Sequence, residues 1–249
     1  MRGLKYILLS CLLLISSFGF AQKWKLSRSS YTYSIGVSSY FGDIGGASNA
    51  DASAFADLEL GNSRPVLAVG YYYKLYERIA LKGNLSYANI HGSDANSLNE
   101  KRNLTFTSNM FELNGHIEYH ILKEMQMVSY NKMSMRGKVN KFNVGVNLYV
   151  FAGIGGAYFN PKAKDNLEGN SRFVNNKNIA IVFPVGLGIK YPLTSTTSIG
   201  LELGGRFTTS DYIDGFTSES STSKDIYYFT VINVSTKIKK AKQRAKIRF

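Results

Sequence analysis

The chain has 249 residues, 30 Lys and Arg against 17 Asp and Glu for a formal charge of +13, 44% hydrophobic residues, one cysteine and four prolines. Beyond the N-terminal segment no stretch approaches the roughly eighteen consecutive apolar residues of a membrane-spanning helix, which excludes a helical membrane protein, and the lone Cys11 excludes an internal disulfide or a thiolate metal site. Tyrosine and phenylalanine number 17 and 15 beside 23 glycines, a composition suited to strands, tight turns and interfacial aromatic belts.

The first segment carries Arg2 and Lys5, then an almost wholly apolar run from Tyr6 to Phe20, then small residues at Gly19 and Ala21 where a signal peptidase reads. Residues 1–21 are therefore expected to be a cleaved export signal; the alternative is lipidation at Cys11, which follows Leu8-Leu9-Ser10.

Eight alternating segments follow, at 32–40, 65–75, 78–90, 104–121, 142–159, 178–190, 197–208 and 225–237. Leu67, Val69, Tyr71 and Tyr73 share a face of the second, and in the third Ile79, Leu81, Leu85 and Tyr87 oppose Arg78, Lys82, Asn84 and Ser86. The fourth is the plainest, with Phe111, Leu113, Gly115, Ile117, Tyr119 and Ile121 on one parity and Glu112, Asn114, His116, Glu118 and His120 on the other. At about 3.3 Å per residue such a segment crosses a bilayer at a tilt. Phe183, Val185, Leu187, Ile189 and Tyr191 mark the sixth; Ile199, Leu201, Leu203 and Phe207 oppose Glu202 and Arg206 in the seventh. Alternation is weaker in the first, fifth and eighth, where glycine dilutes Phe151 to Tyr158 and either parity of Ile226 to Thr236 can face outward.

Connections alternate too. Segments 41–64, 91–103, 160–177 and 209–224 are long and polar, while Tyr76-Glu77 and Pro192 to Thr196 are tight turns; the Met- and Lys-rich 122–141 connection falls on the short-turn side and is a candidate interaction surface. These features predict an all-β fold, an eight-stranded antiparallel transmembrane β-barrel of outer-membrane type over residues 22–238, with 239–249 as a basic periplasmic tail and both mature termini in the periplasm. Eight strands enclose an interior that side chains fill, which argues against a solute channel. Tyr73, Tyr119 and Tyr191 are expected at one rim, Tyr87, Tyr158 and Phe207 at the other.

Few residues invite chemistry. His116, Glu118 and His120 form a row on one strand face, but a metal needs further ligands, and His91 is expected in a loop. Pairing Ile90 with Leu104 across the 91–103 hairpin sets Lys82 opposite Glu112 and Arg78 opposite His116, a lumen of crossed ion pairs. A rim-located lipid hydrolase needs an outward histidine beside a serine and a carboxylate, and no histidine is expected there. Gly153-Ile154-Gly155-Gly156 lacks the lysine and the strand-to-helix context of a phosphate loop. No catalytic, cofactor-binding or metal residue is expected, nor a small-molecule substrate. Seven basic residues, Lys237, Lys239, Lys240, Lys242, Arg244, Lys246 and Arg248, crowd the last thirteen positions before the terminal Phe249. In an exported protein such a tail meets anionic lipid or acidic protein, not nucleic acid.

Ser39-Tyr40-Phe41-Gly42-Asp43-Ile44-Gly45, Arg102-Asn103-Leu104-Thr105-Phe106, Phe151-Ala152-Gly153-Ile154-Gly155 with Asn160-Pro161, and Asp211-Tyr212-Ile213-Asp214 resemble, in this order, motifs of the PorG-like outer-membrane barrel family, and the basic tail is similar. Gly215 and Phe216 depart from the second acid and aliphatic of that family, and its cysteine and proline near the end are missing. The resemblance implies a non-enzymatic component or anchor of the type IX secretion machinery, which in some bacteria supports gliding, held among outer-membrane lipids and contacting periplasmic secretion proteins. A general envelope pore or ligand-binding barrel is the alternative. The partner-binding candidates are Arg102, Asn103, Asp211, Tyr212 and Asp214 at the loop rim, where Arg102 is expected to bridge to the acids and Tyr212 to tie the last loop, and Lys239, Lys240, Lys242, Arg244, Lys246, Arg248 and Phe249 in the tail.

Overall fold

A strand whose side chains alternate between apolar and polar needs a different environment on each face, and only closure gives every backbone N–H and C=O a partner in hydrocarbon. The computed structural model describes residues 27–42, 44, 62–94, 100–122, 145–174, 178–194, 196–216 and 224–238. It is a closed antiparallel barrel of eight strands: β1 (Ser29–Phe41), β2 (Arg64–Lys74), β3 (Ile79–Ser93), β4 (Leu104–His120), β5 (Asn147–Asp165), β6 (Ile179–Pro192), β7 (Thr197–Thr208) and β8 (Ile226–Lys237). Each strand pairs with its neighbour in sequence, and β8 closes on β1 with Ile35 opposite Ile232. Among the described residues no helix is long and apolar enough to cross a membrane.

The outer surface is the apolar parity of every strand. Ile35, Leu67, Leu85, Leu113, Ile154, Val185, Leu203 and Ile232, one from each strand, all stand exposed. In water that arrangement forfeits about 1.5–3 kcal/mol per large side chain, which hydrocarbon restores. Aromatic rings bound the band as the alternation predicts. Tyr31 and Tyr71 meet edge-on at 5.7 Å on the turn side, near Tyr73, Tyr119 and Tyr191. Toward the loops, Tyr87 and Phe111 lie 5.0 Å apart with Tyr158 next in register, and Phe41 meets Tyr228 at 5.1 Å beside Phe207.

Strand ends depart from the sequence expectation chiefly at the loop rim. β3 continues to Ser93 and β5 to Asp165, absorbing residues read as loop, so His91 lies on a strand. In β8 the inward parity is Tyr227, Phe229, Val231 and Asn233, which settles the ambiguity there. Between β3 and β4 the register is four residues from the expected one: Lys82 stands opposite His116 and Glu112 opposite Ser86, while Arg78 lies exposed in the turn.

All four prolines lie in strands, each where a donor is dispensable or replaced. At the level of Pro65 the Asn89 carbonyl accepts from the Ser38 hydroxyl at 2.5 Å. Pro161 lies beyond the last β5–β6 pair, Tyr158 with Ile179, and Pro192 ends β6. Pro184 interrupts the ladder: β5–β6 pairing jumps from Ala152–Val185 to Gly155–Val182.

The interior has two halves. On the loop side Leu104, Phe106 and Met110 of β4 join Ile90, Phe159 and Val182, with Ile44, Leu167, Ile213 and Phe216 folded in from the loops, as an apolar plug. On the turn side the same face of β4 becomes Glu112, Asn114, His116, Glu118 and His120, all buried.

Candidate functional site

Parity alone puts the five polar side chains of β4 in the lumen, and β3, β6 and β7 supply their counter-charges. Glu118 receives the Lys190 ammonium at 2.6 Å from β6 and lies 3.8 Å from Lys82 of β3. Lys82 in turn donates to Glu202 of β7 at 2.8 Å. The Tyr149 hydroxyl and the Asn233 amide also donate to Glu202, at 3.0 and 3.2 Å, and the Ser34 hydroxyl donates to Asn233 at 2.6 Å. Lys190 stands over the Tyr72 and Tyr149 rings at 4.6 and 4.3 Å, so its charge is also held by two π faces. Closer to the plug, Glu112 accepts from the Tyr227 hydroxyl and the Asn114 amide, each at 2.6 Å, and lies 3.8 Å from Arg206, which packs over Phe229.

The two ladder histidines are hydrogen-bonded inside the lumen. His120 Nδ1 is 2.8 Å from the Asn147 amide oxygen and its Nε2 is 3.0 Å from the Tyr72 hydroxyl. His116 Nδ1 meets the Asn114 amide oxygen at 3.1 Å, while its Nε2 faces Glu118 Oε1 at 3.7 Å. Among the described residues no group of three or more His, Cys, Asp or Glu forms a metal-binding arrangement. Glu118, shared between two ammoniums, is engaged as a counter-ion. Gly153 and Gly155 let β5 approach this row closely: a Cβ on Gly153 would strike the Gly115 carbonyl and His116 Cβ, and one on Gly155 the Leu113 carbonyl and Asn114 Cβ. The crossed ion pairs expected from the sequence therefore exist with different partners, Lys82 to Glu202 and Glu118 in place of Glu112.

At the loop rim the expected Arg102 bridge to Asp211 and Asp214 is replaced by a fork onto the buried Asp94, with Nε and Nη2 at 3.1 and 3.0 Å from the two carboxylate oxygens. Asp94 also accepts from the Leu104 backbone N–H at 3.3 Å, so one acid fixes both arms of the β3–β4 connection. Asn103, at φ 47°, takes the left-handed turn that asparagine tolerates. Tyr212 packs against the plug, with its N–H donating to the Ser210 hydroxyl at 3.2 Å, and Asp214 accepts from the Phe216 N–H at 2.8 Å. The last loop is tied by Asp225, which no sequence motif marks. Asp225 accepts from the Tyr40 hydroxyl at 2.5 Å and from the Ile213 N–H at 2.9 Å. Two loops also pair with each other through Phe173 and Phe216, and Gly215 at φ 73° packs where any side chain would meet the Phe173 ring. That contact accounts for the glycine at a position where an acid was expected. Arg102 is thus tied to Asp94, while the 211–214 segment is tied to Ser210, Phe216 and Asp225.

His91 corrects another expectation, since it lies on the outward parity of β3 at the loop rim, where its Nδ1–H donates to the Phe106 carbonyl at 2.7 Å. The export signal, residues 123–141 of the turn-side connection, and the tail residues Lys239, Lys240, Lys242, Arg244, Lys246, Arg248 and Phe249 lie outside the described residues.

A family model described as a domain of unknown function, DUF6089, matches residues 8–236. The comparison with curated protein sequences gives no match. Among solved structures, Neisserial surface protein A is similar at TM-score 0.45 and 9% identity, covering 84% of this chain and 97% of that one. The outer membrane protein OprG from Pseudomonas aeruginosa is similar at TM-score 0.43 and 9% identity, with 86% and 98% covered. The outer membrane enzyme PagL is similar at TM-score 0.37 and 11% identity, with 84% and 99% covered.

Proposed function

Since this chain belongs to the DUF6089 family and folds as a closed eight-stranded barrel, we propose that it resides in the outer membrane as a sealed anchor and works through its two rims. The observation that carries this reading is the occupied interior. An ion-pair ladder fills the turn side and an apolar plug fills the loop side, which leaves the exterior and the ends as working surfaces. Export by residues 1–21, periplasmic termini and a tail seeking acidic protein complete the proposal.

The finer reading is that this anchor serves type IX protein secretion, contacting periplasmic machinery through the tail and the 122–141 connection. It is supported by the ordered motifs at Ser39 to Gly45, Arg102 to Phe106, Phe151 to Gly155 and Asp211 to Asp214 that resemble PorG-like barrels. Deleting Lys239 to Phe249 is expected to abolish recovery of periplasmic partners in crosslinked pull-downs while leaving the barrel in the membrane. Unchanged recovery removes the tail from the mechanism, and normal secretion in a strain lacking the protein removes the secretion role.

A further inference from the structure

The outward face of β3, β4 and β5 continues beyond the loop-side aromatic row, and register sorts it into levels. Above Tyr87, Phe111 and Tyr158 come Asn89, Asn109 and Asn160; next are His91, Thr107 and Lys162; last are Ser93, Thr105 and Lys164. Thr107 is four residues past Phe111. At about 3.3 Å per residue and a strand tilt of about 40°, its row stands about 10 Å above the aromatic ring that marks the hydrocarbon edge, at the depth of lipid headgroups. The three upper levels hold no carboxylate, and Lys162 and Lys164 are exposed with no acidic partner among the described residues.

Below this step and to one side, on the exterior of β1 to β4, lies an apolar concavity of ≈ 430 Å³ walled by Tyr33, Leu67, Val69, Leu85, Tyr87 and Phe111. A slot in the hydrocarbon band next to a basic step at headgroup depth matches one amphiphile with an anionic head and an acyl chain. Asn109 is already oriented there, accepting from the Asn89 amide at 2.8 Å and the Tyr87 hydroxyl at 3.3 Å. We propose that this wall binds a phosphorylated lipid of the loop-side leaflet, with its phosphate on Lys162 and Lys164 and an acyl chain in the slot beside Phe111. The assignment rests on the membrane residence proposed above.

Native mass spectrometry of the full protein released from mixed micelles tests it, using bisphosphorylated lipid A, the same lipid stripped of phosphate, and inorganic phosphate alone. Retention of one bisphosphorylated lipid per barrel is expected, falling at least about tenfold in a K162Q/K164Q double variant and for the dephosphorylated lipid, and unaltered in K101Q. Val69→Trp, which fills the slot without changing charge, is expected to weaken retention as well. Equal retention by K162Q/K164Q, equal retention of the dephosphorylated lipid, or capture of inorganic phosphate in preference to lipid overturns the proposal. The heat-dependent gel shift of a folded barrel, read on the same samples, reports the membrane reading separately: wild type that shows no shift counts against the barrel, and a shifted protein that retains no lipid counts against the site alone.

Discussion

Glu118 shows what a buried charge demands. It is fully enclosed, two ammoniums converge on it, and two histidines stand within 4 Å of the same carboxylate. Replacing it by alanine strands Lys190 in the lumen and weakens the hold on Lys82, and removing one partner of a buried pair costs about 3–5 kcal/mol. Tyr72→Phe, which deletes one neutral hydrogen bond to His120, is expected to cost about 1 kcal/mol. Urea unfolding of the two variants in the same micelles checks the ranking, and equal losses would mean that the ladder is not electrostatic in origin. The inward parity of Glu118, Lys190, Glu202 and Arg206 was legible in the sequence because alternation assigns faces. Their pairing was not, because it links strands two to four positions apart around the cylinder and no local pattern encodes that geometry.

For single elements the instructive case is the β3–β4 hairpin. A slip of one residue turns every apolar side chain inward and is forbidden by the pattern, but a slip of four preserves both faces and leaves alternation unchanged. The expected register and the observed one differ by that amount, because β3 runs on to Ser93 before turning and its polar outward residues, Asn89, His91 and Ser93, look like loop. Cysteines at Leu85 and Leu113 are expected to crosslink under mild oxidation, since they face each other on the exterior, whereas Leu85 with Asn109, the pair implied by the sequence register, is expected not to. Ile44, Leu167, Ile213 and Phe216 failed to announce themselves for a related reason: single apolar residues in polar connections carry no period, yet all four seal the loop-side lumen.

At the scale of the whole molecule, alternation was enough to give strand number, closure and the two aromatic rims, because hydrocarbon leaves a sheet few other solutions. What fills the cylinder decides how it behaves. With Phe106, Met110 and Phe159 stacked across one end and crossed charges across the other, purified protein in a planar bilayer is expected to pass no steady current. Stepwise conductance would mean that the plug leaves the lumen, and would revive the reading of a small envelope pore.

The gap in the β5–β6 ladder at Gly153 and Pro184 bears on how this cylinder yields. A zipper fails first where a tooth is missing, and here the backbone lacks one amide hydrogen between two strands that are otherwise firmly laced. Under tension or heat the wall is expected to part along that line, so the same seam that tolerates a proline in the finished protein also sets the direction in which it comes undone.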